Sequence, residues 1–317
     1  MMKVLCIGHA AYDITIPVDE FPKENTKNRV SNRVECGGGP ASNAAYLLAK
    51  WGIETYFAGV LGKDLYGDRI REEFINIGVN IKYLQQNSNY QTTSSFILAN
   101  SANGSRTIFT YRPSDMHMND IELDFEPDII LIDGQEPKVS EDLIFKYPNA
   151  ISVIDAGRPK EEIIRLAGLV NYLICSKEFA ETVSKKEIDY NNLSTVADVY
   201  NILKEKFNNN IIITLEDRGC VYQDGNVIKI MPSIKVKALD STGAGDIFHG
   251  AFVYGLAKGF ELEKAVIYAN LAGAISVTRI GGRFSVPNLD EMEENYNALK
   301  WCYIYWKSSK IRFTWRK

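Results

Sequence analysis

Hydrophobic positions along this chain fall into two rhythms. One is a set of short, almost unbroken apolar runs: MKVLCIG at 2–8, TYFAGVLG at 55–62, DIILIDG at 128–134, AISVIDAG at 150–157, YLICS at 172–176 and IIITLE at 211–216. A strand with one wet face alternates apolar and polar residues. Runs without that alternation suit strands covered on both sides, as in a parallel sheet between helices. The second rhythm is helical and predicts helices over 41–51, 63–77, 161–167, 177–183 and 197–207. Strand and helix taking turns at this spacing predict an α/β fold, a doubly wound and mainly parallel sheet flanked by helices.

Two stretches leave the pattern. Residues 12–37 and 90–112 alternate apolar and polar positions with no long helix, and YQTTSSFILANSANGSRTIFTYR carries Asn103-Gly104 between two β-rich arms. A tight turn at that pair predicts a hairpin, and the two stretches together predict a small antiparallel sheet projecting from the main core. Residues 292–305 predict a terminal helix, and the basic, aromatic end WKSSKIRFTWRK reads as a helix end with a frayed tail. The length fits one large α/β domain or two ordinary ones. No Pro-, Gly- or Ser-rich linker divides the chain, so one domain over 1–317 is expected, with the two β-rich stretches inserted in it.

Composition narrows the function classes. At 45% hydrophobic and 24% charged the chain has ordinary globular make-up, and a net charge of −4 supplies no field for nucleic acid. No apolar run approaches the ~20 residues that span a bilayer, and the first residues read as a strand, not an export signal; a cytoplasmic location is expected. The 5 cysteines are scattered without a C-x-x-C pair, which points to small buried hydrophobes in a reducing compartment. His9, His117 and His249 lack metal-ligand spacing.

The strongest chemical signal is LDSTGAGDIFHGAFVYGLAKG at 239–259. Thr242-Gly243-Ala244-Gly245 is a small-residue loop opening an apolar helix, which leaves backbone N–H groups unpaired and pointing one way as an anion cradle. Asp246 at its mouth would repel phosphate. It makes sense as a base beside the cradle, taking the proton of a hydroxyl that attacks a phosphoryl group. The same residues could form only a tight helix cap. In ECGGGPASNAAYLLAKWG at 35–52, Gly38 and Gly39 let backbone approach a ligand, and Asn43 offers a donor and an acceptor to neighbouring hydroxyls; capping is the plainer use. Asp13 follows the first strand, where ligand-facing residues of an open α/β sheet collect. A P-loop, a Rossmann glycine signature and the protein-kinase motifs are absent.

Taken together, Gly38-Gly39-x-x-x-Asn43 near the front and Asp240-Ser241-Thr242-Gly243-Ala244-Gly245-Asp246 near the back resemble the ribokinase-like (PfkB) carbohydrate and nucleoside kinases, over about residues 3–290. The resemblance implies an ATP-dependent kinase with Asp246 as catalytic base and Gly243, Ala244 and Gly245 as the anion hole. It implies sugar contacts from Asp13, Gly38, Gly39 and Asn43, and a lid built from the two β-rich stretches. Asn270 and Gly219 fall where the family lines the nucleotide, and Asp240, Thr242 and Ser285 where many members bind a monovalent cation, usually potassium. Magnesium would be held chiefly by ATP phosphates and waters. Paired lids imply a possible homodimer.

Two motifs depart from the family pattern. Its N-x-x-E appears as Cys175-Ser176-Lys177-Glu178, keeping Glu178 near magnesium but losing the Asn. Its T-x-G-x-x-G reads Thr214-Leu215-Glu216-Asp217-Arg218-Gly219, with Glu216 in a glycine's place, as in ketohexokinases, which share the Ser-Lys pair; ATP contacts at Lys177, Thr214 and Glu216 are expected to be shifted. GGGPASNAA, DIFHGAF and Thr278–Arg283 look most like the branch of fructokinases, ketohexokinases and sulfofructose kinases. Lys27 can reach an anionic substituent, and Arg106 and Arg112 flank the second lid arm, whereas Gln135 stands where an acidic substrate would want a cation. A small ketose-like sugar is the favoured substrate. Nucleoside kinase, 2-keto-3-deoxygluconate kinase and a non-catalytic sensor are the alternatives.

Overall fold

The computed structural model describes residues 2–308, with side chains through residue 299. Residues 309–317, most of the expected tail, lie outside the described residues. Cys302 lies beyond the described side chains. The predicted strands are found as β1 (Lys3–Ile7), β4 (Glu54–Gly62), β8 (Ile129–Ile132), β9 (Ile151–Ala156), β10 (Tyr172–Ser176) and β11 (Asn210–Thr214). With β5 (Asn80–Asn87), β12 (Gly219–Asp224) and β13 (Val227–Pro232) they form a 9-stranded sheet in the order β13-β12-β11-β10-β9-β8-β1-β4-β5. Neighbours from β11 to β5 are parallel; β12 alone runs against them, and β13, antiparallel to β12, resumes their direction.

Alternate side chains of each central strand enter different cores. Val4 and Cys6 of β1 pack in one core with α1 (Pro40–Lys50), α7 (Ala244–Ala257) and α8 (Leu262–Ser276). Leu5 and Ile7 face the other, with α3 (Pro137–Lys146), α4 (Glu161–Ala167), α5 (Lys177–Ser184) and α6 (Leu193–Phe207). Both faces being covered, the strands have no polar side to show. Helix α3 was not legible, because Pro137 follows strand β8 with few apolar residues. Helices α2 (Leu65–Ile77) and α9 (Leu289–Ser308) complete the set, α2 capped by Asp64, which accepts from the Gly67 N–H at 2.9 Å.

The two β-rich stretches meet in a second, 4-stranded sheet ordered β3-β2-β6-β7: β2 (Ala11–Val18), β3 (Val34–Gly38), β6 (Ser94–Asn100) and β7 (Arg106–Tyr111). The expectation of an all-antiparallel sheet is corrected at its centre, where β2 and β6 run parallel with Tyr12 opposite Ser94. The chain leaves this sheet after β3, builds α1, β4, α2 and β5, and re-enters in the same direction; hairpin contact is unavailable to strands so joined. The β6–β7 connection is longer than a two-residue turn, spanning 101–105, with Gly104 in the left-handed region at φ 73°. Its tip docks on the core: the Ser241 N–H donates to Gly104 O at 3.1 Å.

Candidate active site

Parallel strands end on one edge, and the loops leaving β1 and β8 converge there around Asp133. Its buried carboxylate accepts from the N–H groups of His9 (2.8 Å), Ala41 (3.1 Å) and Gln135 (2.9 Å). Burial pushes its pKa above the usual carboxylate range, and the amide donors and Arg112 oppose that shift. Asp133 thereby ties the end of β1 to the start of α1. Its only signal in the sequence was an Asp-Gly pair closing a buried run.

Asp13, on β2, sits opposite Cys36 of β3 and is 6% exposed. Gly38 makes room for it, since a Cβ there would lie 2.0 Å from Asp13 Oδ2. Burial, chiefly, pushes the Asp13 carboxyl up to about 6, a Ser95 hydrogen bond pulls it down, and the negative charge of Asp246 adds to the rise. Gly39 has φ 98° and its Cβ would meet His9 O at 2.4 Å, so the turn into α1 accepts no side chain.

Beneath this turn lies an ion pair that sequence reading missed. Arg283 is fully buried, its Nη1 2.7 Å from Glu73 Oε2, and it also donates to Ser42 Oγ. Its guanidinium lies 4.9 Å from the Phe74 ring centroid and 5.2 Å from that of Tyr46. Glu73 also accepts the Gly37 N–H. An Arg in a Gly-rich segment ordinarily reads as surface, and nothing in its neighbours marked it otherwise.

Helix α7 opens at Gly243, whose φ of 76° makes the sharp entry. Ile247 is the first α7 residue whose N–H bonds back to the cap, donating to Gly243 O at 2.9 Å, so the amides of Gly245 and Asp246 precede the helical ladder. A Cβ added to Gly245 meets nothing within 4 Å. Open, unpaired N–H groups at the positive end of a helix make an anion cradle. Asp246 is partly buried at its rim, and the Asn43 Nδ2–H donates to its Oδ2 at 2.8 Å. Asn43 Oδ1 is buried without a partner, ready for a hydroxyl donor. Asp13 beside Gly38, and Asn43 beside Gly243 and Asp246, are thus gathered where β2, α1 and the start of α7 meet, and the two carboxylates feel each other's charge.

Asp240 fastens the cradle to the following turn, its Oδ1 accepting the Thr242 N–H and its Oδ2 the Gly281 N–H, both at 2.9 Å. Ser285 donates to Gly282 O at 2.7 Å, and the buried Thr242 Oγ1 has no partner. Asn270 donates to Pro232 O at 2.7 Å, linking α8 to β13. Glu216 takes a left-handed φ of 54°, the conformation a glycine would adopt more cheaply, and Gly219 (φ 102°) has Met231 O 2.0 Å from where a Cβ would lie. Thr214 donates to Cys175 O at 3.3 Å, beside Lys177 and Glu178 at the start of α5. Lys177 Nζ is 3.6 Å from Glu181 Oε1 and 4.7 Å from the Tyr190 ring centroid. Two further expected substrate contacts lie on the second sheet and its connections. Arg106 donates to Ser241 O at 2.9 Å, bracing the lid tip, and Lys27 lies exposed in the irregular 19–33 segment.

Residues 1–289 match the profile described as pfkB family carbohydrate kinase. Ribokinase of Bacillus subtilis (strain 168) is 25% identical over 304 residues, covering 93% of this chain and 99% of the relative. Nucleoside kinase of Methanocaldococcus jannaschii is 26% identical over 302 residues, 93% and 96% respectively. Among solved structures, a putative ribokinase from Agrobacterium tumefaciens superposes with a TM-score of 0.86 at 25% identity, covering 94% of this chain and 98% of that one. The chain belongs to the pfkB family of ATP-dependent carbohydrate kinases, whose ribokinase-like fold it adopts.

Proposed function

We propose that this kinase transfers the γ-phosphoryl group of ATP to a hydroxyl of a small ketose- or pentose-like sugar. Asp13, Gly38, Gly39 and Asn43 hold the sugar, and Asp246 takes the proton of the attacking hydroxyl. The oxygen then attacks the γ-phosphorus, ADP leaves, and the amides opening α7 receive the charge that develops on the phosphoryl oxygens. The observation that carries this reading is Asp246 beside unpaired amides, with its carboxylate oriented by Asn43. The lid sheet would exclude water, the competing acceptor.

Magnesium would travel with the ATP phosphates, with Glu178 nearby; no group of three His, Cys, Asp or Glu side chains among the described residues forms a metal site. A monovalent cation such as potassium suits Asp240, Thr242 and Ser285, because they are all oxygen donors and Thr242 Oγ1 is a buried orphan. The β7 edge strand is exposed over its whole length, with Phe109 and Tyr111 on it; pairing with a second copy in a homodimer would cover it.

A nucleoside is the second reading, supported by the Methanocaldococcus relative. ADP release measured across a panel of ketoses, pentoses, 2-keto-3-deoxy sugar acids and nucleosides separates the two. Turnover with a neutral sugar supports the proposal. Turnover with nucleosides alone replaces it, and binding without turnover would reduce the chain to a sensor.

A further inference from the structure

His249 lies on α7 one turn after Asp246 and is 5% exposed. The backbone atoms nearest its ring are both carbonyl oxygens. Nδ1 is 2.6 Å from Gly245 O and 3.2 Å from Asp155 Oδ2, and Nε2 is 3.3 Å from Ile174 O. A carbonyl oxygen cannot donate, so the short contact from Nδ1 to Gly245 O calls for a proton on Nδ1, and Asp155 at the end of β9 lies against the same nitrogen. Burial pushes the Asp155 carboxyl up to about 7, while His249 pulls it down and Asp246 and Asp133 push it further up. Those carboxylates, from β9, α7 and β8, are the charged groups that act on the pair; β10 contributes only the Ile174 carbonyl.

The first turns of a helix leave no orphan carbonyl to be capped, so capping does not account for a ring donor here. Its partner atom does. Gly245 O belongs to the same peptide unit as the Asp246 N–H, and in a helix the two point in opposite directions along the axis. We propose that His249 is a positioning residue of the anion cradle: by holding the Gly245 carbonyl it aims and polarises the Asp246 N–H toward the phosphoryl group in transit. Hydrogen bonds in series polarise and strengthen one another. The inference rests on the kinase reading of this site, and nothing in it requires His249 to touch either substrate.

Two measurements test it. Only 3 histidines are present, so ring 15N signals are assignable with His249→Gln. The His249 Nδ1 is expected to carry a proton hydrogen-bonded to Gly245 O; a ring with Nδ1 bare and the proton on Nε2 in the unaltered protein overturns the donor assignment whether or not a sugar substrate has been found. In steady-state assays His249→Phe is expected to lower kcat by about ten- to a hundredfold with both KM values within about twofold. His249→Asn, which restores a donor where Nδ1 stood, recovers most of that loss. Unchanged kcat in His249→Phe, or no recovery in His249→Asn relative to it, refutes the positioning role. Should the Phe variant not fold, Asp155→Asn, of unchanged size, must show the same selective loss of kcat. An unaltered enzyme with no kinase activity on any acceptor would instead sink the functional reading.

Discussion

Asn43 and Asp246 are 203 residues apart in the chain and 2.8 Å apart in space, amide donor to carboxylate oxygen. The contact exists because α1 and α7 cross closely: a Cβ on Gly250 would sit 3.1 Å from Ala44 Cα. The bond fixes where the Asp246 carboxylate points while leaving Asn43 Oδ1 free to accept from a ligand. One side chain thus serves both the proposed base and the proposed substrate.

Replacing Asp246 with Asn keeps the shape and removes the proton acceptor. The expected result is a fall in kcat of about three orders of magnitude with ATP affinity within about twofold, read by coupled ADP release and calorimetric titration. Near-normal kcat would refute the base assignment.

Asn43→Ala frees the Asp246 carboxylate to rotate and removes an acceptor for the substrate. A loss of about a hundredfold in kcat/KM for the sugar is expected, with KM for ATP little changed. A sugar KM and kcat equal to those of the unaltered enzyme would show that the hydrogen bond is incidental.

Asp13 gives a pH signature. Its carboxyl is raised from 3.8 to about 6, so sugar KM should climb as pH falls through about 6, where the acceptor becomes protonated. The stability effect has the opposite sense. The folded state holds this proton more tightly than the unfolded chain, so stability drops as pH rises from 3.8 to about 6 and stays lowered above it. Asp13→Asn should therefore raise the melting temperature near pH 8, by an amount worth up to roughly 3 kcal/mol, while binding sugar poorly. A lower melting temperature at that pH would contradict the burial argument.

Two glycines of α7 should respond differently. Gly245→Ala meets open space, so thermal stability holds while kcat falls, because its methyl group leans toward the helix N-terminus where the phosphoryl group would sit. Gly250→Val instead drives α1 from α7, and a loss of about 2 kcal/mol or more is expected in urea unfolding, together with weaker sugar binding. Equal stability losses in both variants would show that Gly245 is structural.

Glu73→Ala leaves Arg283 fully buried without its counter-charge. A cost of about 3 kcal/mol in urea unfolding is expected, whereas Glu73→Gln, which can still accept from Arg283 and Gly37, should cost less. Equal stability of Glu73→Ala and the parent would remove the pair from any role in shaping the sugar-side turn.

The main sheet was legible because strands covered on both faces carry a one-dimensional signal, an unbroken apolar run, and the cradle because small residues before an apolar helix have few other uses. Asp246, Gly243–Gly245 and Asn43 were visible for that reason, and Asp13 as an acid just past the first strand. Local pattern could not show that β2 and β6 pair in parallel, since that depends on the route taken through α1, β4, α2 and β5. Nor could it show that Arg106 braces the lid tip against Ser241. The role of a polar side chain is decided by what faces it, and for Arg283, Asp133 and His249 the partners come from distant parts of the chain. Sequence alone determined which backbone could cradle an anion and which carboxylate stood beside it. Tertiary packing decided how that carboxylate is aimed and which buried charges sit behind it, because hydrogen bonds and ion pairs depend on distances that only the assembled sheet and helices set.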